Sequence, residues 1–421
     1  MGIIRALLRN RQLTLLAVIL LISWAFAFAT GFWLLFRLVY LVAIAVPLAW
    51  LWARFNVNGL EVSVQRLIDR GQVGQRTEER IIVRNPSWFP RIWLEVDDPS
   101  ELPGARPRRV ISLGGRRRTS WKTEMLLTRR GVYHVGPVTV TSSDPFGIFK
   151  VSKAYGGKGS IIVYPPFLDL PNFTVPPASL PGEGRFRKRT HHVTPNASGV
   201  REYVPGDSFN RIHWPSTVRT GKMMVKVFEL DPASDIWVIL DLHGKIQAGS
   251  GDESTEEYGV KIAASVARHF LNANRNVGYM AFGERLDMIE VERGGQQMTR
   301  ILEALAMAKA TGDVPIANLL AVEGKRFGRH TTVILITSST DEQWITSLLM
   351  LTQRGVKVAV VLLEASTFGA ATNSLMVVSQ LTAADIWTYL VKQGDNLSTT
   401  LTPTGEGLSI EAAQRGRGGE T

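Results

Sequence analysis

Asp235-Ile-Trp-Val-Ile-Leu-Asp241 is an apolar run of strand length bounded by two aspartates. Thr255 to Asn274 follows it, with apolar residues at Ile262, Val266 and Phe270 and again at Ala263, Ala267 and Leu271. The first pattern predicts a strand buried on both faces, and the second predicts one buried face of a helix. The alternation continues with strands at Asn276 to Phe282, Thr331 to Thr337, Val356 to Leu363 and, shorter, Asp385 to Val391, and with helices at Gln297 to Ala310 and Glu342 to Arg354. Alternation of this kind needs crossovers, so a mostly parallel sheet covered on both faces is predicted for this α/β part.

Upstream, from Asn56 to about Tyr164, the period shortens to two. Alternating runs occur at Leu60 to Leu67, Arg80 to Arg84, Ile92 to Val96, Arg108 to Leu113, Ser120 to Leu127 and Val138 to Ser142, separated by Gly, Pro and Asn. An all-β, sandwich-like domain over 55–164 is the expectation. Asp144-Pro145-Phe146-Gly147-Ile148-Phe149 reads as a turn whose aromatics bury. Arg106, Arg108, Arg109, Arg116, Arg117, Arg118, Lys122, Arg129 and Arg130 crowd this domain. They suit either a solvated sheet edge or attraction to anionic headgroups.

Before that domain, two apolar runs follow Arg5, Arg9 and Arg11: residues 13–30 and 32–53. Each is long enough to cross a ~30 Å hydrocarbon layer as a helix, and little more than Gly31 separates them, so 1–54 is expected to be a transmembrane helical hairpin. Arg37 lies early in the second run, where it can snorkel, and Trp24, Trp33, Trp50 and Trp52 suit interfacial belts. Basic residues before the first run and Arg54 after the second place both ends on the cytoplasmic side. The competing reading is a signal peptide cleaved near Ala27-Phe28-Ala29, although cleavage there would leave a second apolar helix.

The whole chain has 421 residues, a formal charge of +11 and no cysteine. The length calls for more than one domain. Without cysteine, disulfide scaffolds, thiol catalysis and thiolate zinc sites are excluded. Residues 165–200 read as a Pro/Gly-rich connector holding a basic knot of Arg185, Arg187, Lys188, Arg189, His191 and His192, and 396–421 as a flexible tail.

Between connector and first parallel strand stands Arg201-Glu-Tyr-Val-Pro-Gly-Asp-Ser-Phe-Asn-Arg-Ile-His-Trp-Pro-Ser-Thr-Val-Arg-Thr-Gly-Lys-Met-Met-Val-Lys-Val-Phe-Glu229. Val204 to Asp207 is a turn in which Pro205 presets φ, Gly206 permits a positive one and Asp207 accepts backbone hydrogen bonds. In an extended segment Arg211 and His213 share a face and Trp214 opposes them. One reading is an interdomain latch in which Trp214 fills the core while Arg201, Arg211 or Arg219 pairs with Asp207, Glu202 or Glu229. The other is an anion- or partner-binding surface.

These signatures resemble those of the bacterial family called domain of unknown function 58: Arg201-Glu202-Tyr203, Pro205-Gly206-Asp207, Arg211-Ile212-His213-Trp214, Arg219-Thr220-Gly221-Lys222 and Phe228-Glu229. Arg130-Gly131-Val132-Tyr133 with Gly136-Pro137, and Asp144-Pro145-Phe146-Gly147, match as well. The resemblance implies that 201–395 is the family signature segment plus a von Willebrand factor type A-like α/β domain, and it implies a membrane anchor and partnership with a MoxR-like AAA+ ATPase in assembly, maturation or stress handling. It implies no established reaction. Type A domains often hold a divalent cation through Asp-x-Ser-x-Ser after the first strand, but here the segment reads Asp241-Leu242-His243-Gly244-Lys245 and both serines are gone. Lys245 would bring positive charge to the ion's position and His243 is a poor Mg²⁺ ligand, so neither metal nor cofactor is expected. Thr337-Ser338-Ser339-Thr340-Asp341 offers hydroxyls on the same edge, or caps the helix that follows.

No Gly-x-Ser-x-Gly, His-Glu-x-x-His or phosphate-loop spacing is present. The expectation is therefore a non-enzymatic, membrane-tethered scaffold with lipid and the ATPase as partners. A metal-dependent hydrolase or binding enzyme using the Asp241 edge of the sheet is the alternative. Nucleic acid is not expected, because aromatic residues are not interleaved with the arginines along the chain.

Overall fold

The computed structural model describes residues 11–66, 68–99, 101–102, 108–175, 197–204, 212–228 and 235–402. Contacts divide the chain into two units, Met1–Pro166 and Phe167–Thr421.

The first unit opens with two apolar helices, α1 (Arg11–Thr30) and α2 (Trp33–Val57), separated by Gly31 and Phe32. Gly31 adopts φ 68°, the left-handed turn that glycine takes without penalty. α2 is long and apolar enough to cross a membrane. Leu34, Leu38, Leu41, Ile44, Leu48 and Leu51 all face outward. Arg37 stacks 4.2 Å from the Trp33 ring, back toward the helix start, the direction snorkelling requires.

α2 runs past Ala53 and ends inside the β region. Its buried Asn56 donates from Nδ2 to the Ile92 carbonyl (2.8 Å) and to Ser142 Oγ (3.0 Å). Arg91 donates to the Phe55 carbonyl and Tyr155 to the Val57 carbonyl. The carbonyls that a helix C-terminus leaves without intrahelical donors are thus satisfied by side chains of the sheet.

The strands of this unit are β1 (Glu61–Arg66), β2 (Arg70–Gln72), β3 (Arg76–Arg84), β4 (Arg91–Asp97), β5 (Arg109–Leu113), β6 (Arg118–Leu126), β7 (Gly131–Val135), β8 (Val138–Ser143), β9 (Lys150–Tyr155) and β10 (Gly159–Tyr164). They form sheets in the orders β1-β3-β6, β5-β4-β8-β9 and β2-β10-β7. Leu60, Ile81, Val83, Leu94, Val96, Leu113, Val138 and Val140 make one shared core, the inward halves of the period-2 runs. A second cluster joins Leu102, Leu127, Val135, Ile161 and Val163.

The turn at 144–149 departs from expectation, because Phe146 is exposed and the buried residue is Asp144. Its carboxylate accepts from the amides of Phe146 and Phe149, so a polar hub organises the turn instead of an aromatic one.

The second unit contains the ribbon β11 (Ala197–Glu202) and β12 (Met224–Phe228), with the short helix α3 (Trp214–Thr220) between them. The α/β region follows: β13 (Asp235–Leu240), α4 (Thr255–Asn272), β14 (Val277–Phe282), β15 (Leu286–Glu292), α5 (Gly295–Met307), α6 (Ile316–Glu323), β16 (Thr331–Thr337), α7 (Gln343–Gln353), β17 (Lys357–Leu363), α8 (Leu375–Ala383), β18 (Trp387–Val391) and α9 (Leu397–Thr400). One six-stranded sheet, in the order β15-β14-β13-β16-β17-β18, is parallel except for β15, which pairs antiparallel with β14. The core-facing residues anticipated on α4 (Ile262, Val266, Phe270, Ala263, Ala267 and Leu271) are all buried.

Two boundaries shift from the sequence reading. The start of the connector packs into this unit: Leu170 and Phe173 are buried, the Leu168 amide donates to Ser265 Oγ (2.9 Å), and Tyr389 donates to the Thr174 carbonyl (2.7 Å). At the other end Asn396 caps α9, and Leu397 and Leu401 are buried, so packing reaches into the expected tail. The basic knot of the connector lies outside the described residues.

Candidate functional site

Numbering the six strands by their order along the chain gives 3-2-1-4-5-6, the doubly wound arrangement that reverses between β13 and β16. Ligands of open α/β sheets bind at the carboxyl ends of the strands beside that switch point. Asp241 follows β13 there and Thr337 ends β16.

Thr337 Oγ1 donates to Asp241 Oδ2 (2.7 Å) and the His243 amide donates to Oδ1 (3.1 Å). Ser338 donates to the Ile246 carbonyl (2.9 Å), and the Ser339 amide donates back to Thr337 Oγ1 (3.0 Å). Gln247 bridges the Asp241 carbonyl (3.2 Å) and the Thr255 hydroxyl, which donates to Gln247 Oε1 at 2.6 Å. Gly312 allows a close approach here, since a Cβ would stand 2.5 Å from the Phe282 carbonyl oxygen.

Asp241 is 5% exposed. Burial pushes its carboxyl up to about 6, against the opposing pull of Thr337 and His243. Lys245 is exposed and makes no ion pair with Asp241, which instead caps the turn that follows by accepting from the His243 amide. Farther along, Ser339 Oγ accepts from the Asp341 amide, and Asp341 Oδ1 accepts from the Gln343 amide at the start of α7.

A hard divalent cation takes six or more oxygen ligands. At the switch point itself the Asp241 carboxylate and the Thr337 hydroxyl are bonded to each other, and the neighbouring Ser338 hydroxyl is engaged by backbone. Among the described residues no three His, Asp or Glu side chains gather as a ligand set. The oxygen donors at the switch point are thus engaged with one another and with backbone.

A second buried carboxylate, Glu364, follows β17 on the same edge and carried no motif in the sequence. It accepts from Ser366 Oγ (2.7 Å), the Ser374 amide (3.2 Å) and Ser374 Oγ. Burial acts upward on it, but these donors outweigh burial and hold the group below the usual carboxylate range. Its role is to staple the 364–374 loop, and the signal available was only the local density of serines.

The signature segment lies within the second unit. Arg201 pairs through its backbone with Val225 in the ribbon, and half-buried Tyr203 donates its amide to the Met223 carbonyl (2.8 Å). Extended structure stops at His213, whose Nδ1 meets Ser216 Oγ at 2.8 Å and whose carbonyl accepts from the Thr217 amide.

Trp214 does not fill the core: it begins α3 and is 64% exposed. Pro215 in the first helical turn loses no hydrogen bond there, which favours helix over strand, and the inward positions go to Ile212, Ser216 and Val225. Gly221 closes α3 at φ 70°, and Arg219 is exposed in its last turn. Glu202 pairs with Lys222 (2.6 Å), a partner the latch reading did not name. Pro205, Gly206, Asp207, Arg211 and Glu229 lie outside the described residues.

Residues 199–367 match the model of the family described as protein of unknown function DUF58, so the chain carries the domain that its signatures resemble. The uncharacterized protein YeaD of Bacillus subtilis is 23% identical over 346 residues, 79% of this chain and 84% of its own length. The uncharacterized protein Rv1480 of Mycobacterium tuberculosis is 26% identical over 149 residues, 34% of this chain and 41% of its own length. Among solved structures, the pilus adhesin SpaC of Lactobacillus rhamnosus GG aligns with 41% of this chain and 29% of its own at 10% identity, with a TM-score of 0.32. That score leaves the fold to be described from its own geometry.

Proposed function

We propose that this chain is a non-enzymatic scaffold held in the bacterial cytoplasmic membrane by a two-helix hairpin, with both its β unit and its α/β unit in the cytoplasm. In this reading the α/β unit is a von Willebrand factor type A-like domain that binds a protein partner at the carboxyl edge of its sheet. The partner is a MoxR-like AAA+ ATPase.

The observation that carries the proposal is the switch point itself. The strand order places Asp241 where a doubly wound sheet binds ligands, yet the carboxylate is consumed by Thr337 and the His243 amide. An edge stabilised from within suits a rigid docking face, on which His243, Lys245 and Asp341 supply polar rim contacts. The metal-dependent hydrolase draws on two facts, the 2.7 Å approach of Thr337 to Asp241 and the exposure of Lys245. Against it stands the engagement of that carboxylate by Thr337 and the His243 amide, which an incoming ion would have to displace.

The test is capture of the ATPase, identified by mass spectrometry, by the full-length chain in mild detergent. Lys245→Glu is expected to weaken capture about tenfold, the effect of a rim charge reversal of ~1.4 kcal/mol. Undiminished capture would remove this edge from the interface.

A further inference from the structure

We propose that the 85–90 loop of the first unit, with Trp88 and Phe89 at its tip, lies in the headgroup layer of the membrane beside the end of α2. In this arrangement Arg116, Arg117 and Arg118 meet the phosphates of anionic lipids. The inference rests on the reading of α2 as membrane-spanning and adds a second, lipid-specific contact to it.

Strand register brings these parts to one end of the unit. β1 begins three residues after Asn58, the C-cap of α2, and its first residue, Glu61, pairs with Arg84, the last of β3. Arg84 in turn pairs with Arg118, the first residue of β6. The 85–90 loop and the 114–117 turn therefore both lie at the helix end. Ring contact agrees, since Phe55 in the last turn of α2 meets Phe89 edge to face at 6.0 Å.

The loop is built, and it holds its aromatics in solvent. Asn85, fully buried, donates from Nδ2 to the Phe89 carbonyl (2.8 Å) and to the Gly114 carbonyl (3.1 Å), while the Arg116 amide donates to the Ser87 carbonyl (2.8 Å). Gly115 packs so closely that a Cβ would stand 2.0 Å from the Trp88 carbonyl oxygen. On this frame Trp88 is 75% exposed and Phe89 66%. Arg116 stacks 4.1 Å from the Trp88 ring. Large aromatics fixed outward beside an apolar helix are disfavoured in water and favoured at the bilayer interface, where an amphipathic indole belongs.

Charge selects the same partner. Arg108 and Lys122, from the same basic stretch, are neutralised by Glu95, Asp97 and Glu78. Among the described residues no carboxylate lies within ion-pair distance of Arg116, Arg117 or Arg118. Arg118 sits directly across from Arg84, whose charge Glu61 meets at 3.1 Å, so the three arginines at 116–118 are the ones left for an anionic surface. The sequence reading missed this combination because the tryptophan that meets Arg116 lies 28 positions upstream and reaches it only through the sheet.

Because the chain has no cysteine, each engineered thiol is unique. The full chain is reconstituted into vesicles of phosphatidylcholine and phosphatidylglycerol with an environment-sensitive fluorophore at Trp88→Cys, Phe89→Cys, Ile44→Cys or Gln75→Cys. Ile44 is exposed in mid-α2, and Gln75 lies just before β3 at its far end, roughly 27 Å from the loop at ~3.3 Å per residue. Labels at 88 and 89 are expected to shift blue and to lose emission to brominated acyl chains, as at 44, while the label at 75 responds only to aqueous iodide. Joint replacement of Arg116, Arg117 and Arg118 by Ser should shrink the shift at 89 with phosphatidylglycerol present and leave it unchanged in pure phosphatidylcholine.

Aqueous behaviour at 88 and 89 with lipid behaviour at 44 would overturn the inference and leave the anchor standing. Aqueous behaviour at all positions would overturn both. A shift at 89 produced by RNA and not by vesicles would overturn the lipid assignment.

Discussion

Asp241 loses its hydration when β13 and β16 close over it, and two hydrogen bonds replace only part of what water supplied. Its proton is therefore held more tightly in the folded chain, with a value of about 6, than in the unfolded chain near 3.8. Between those values the folded state binds more protons, so this group's contribution to stability falls as pH rises from about 4 to about 6 and stays lost above. The effect amounts to at most ~3 kcal/mol. Chemical denaturation of wild type and Asp241→Asn should give a stability difference that moves against wild type across that window, and a difference flat in pH would contradict the assignment. The residue order placed the hydroxyls of Thr337 to Thr340 on the same edge but not the bond that one of them makes. The sequence exposed the missing serines at positions 243 and 245, but whether Asp241 would meet Lys245 or a distant hydroxyl depended on a hydrogen bond spanning 96 positions.

At the scale of elements, two polar side chains join what apolar pairing alone would leave loose. Gln297, fully buried on α5, donates from Nε2 to the Val277 carbonyl and to the Glu290 carbonyl, both at 2.7 Å, at the place where the β14–β15 register slips. Gln297→Ala removes the donor from the buried Val277 carbonyl and from the partly buried Glu290 carbonyl, and should lower stability by about 1–3 kcal/mol, read from the denaturation midpoint. Arg91 does similar work at the end of α2, lying 3.8 Å from the Phe55 ring and donating to the Phe55 carbonyl. Arg91→Ala should cost ~1.5–3 kcal/mol and speed hydrogen exchange at Val57 and Asn58. Unchanged exchange would show that the helix end is seated by packing alone.

Strong periodicity made most elements legible, including β16, anticipated at Thr331 to Thr337, and the buried face of α4. Among the elements that escaped are β9, whose side chains are largely exposed, β15, an edge strand only partly buried, the short helices α6 and α8, and α3, where Pro215 turned a segment read as extended into a helix. The seat of α2 escaped too, since Asn56 reads as a loop residue until Ser142 and the Ile92 carbonyl meet it.

For the whole molecule, each unit carries one end of the account. The first unit pairs an apolar helix with a β domain that holds its last turn, and the second presents a doubly wound sheet whose switch-point acid is closed off. These are the features from which the proposed tethered docking module is argued, against the hydrolase. The two readings part most sharply on whether partner binding depends on a divalent ion. The deciding measurement is co-purification of the full-length chain with the MoxR-like ATPase, kept in one nucleotide state by a non-hydrolysable analogue, with the scaffold immobilised and washed in either excess Mg²⁺ or EDTA. A stoichiometric complex that survives EDTA is the predicted result. Loss of the complex on chelation that Asp241→Asn reproduces, or failure to recover the ATPase under either wash, would contradict it.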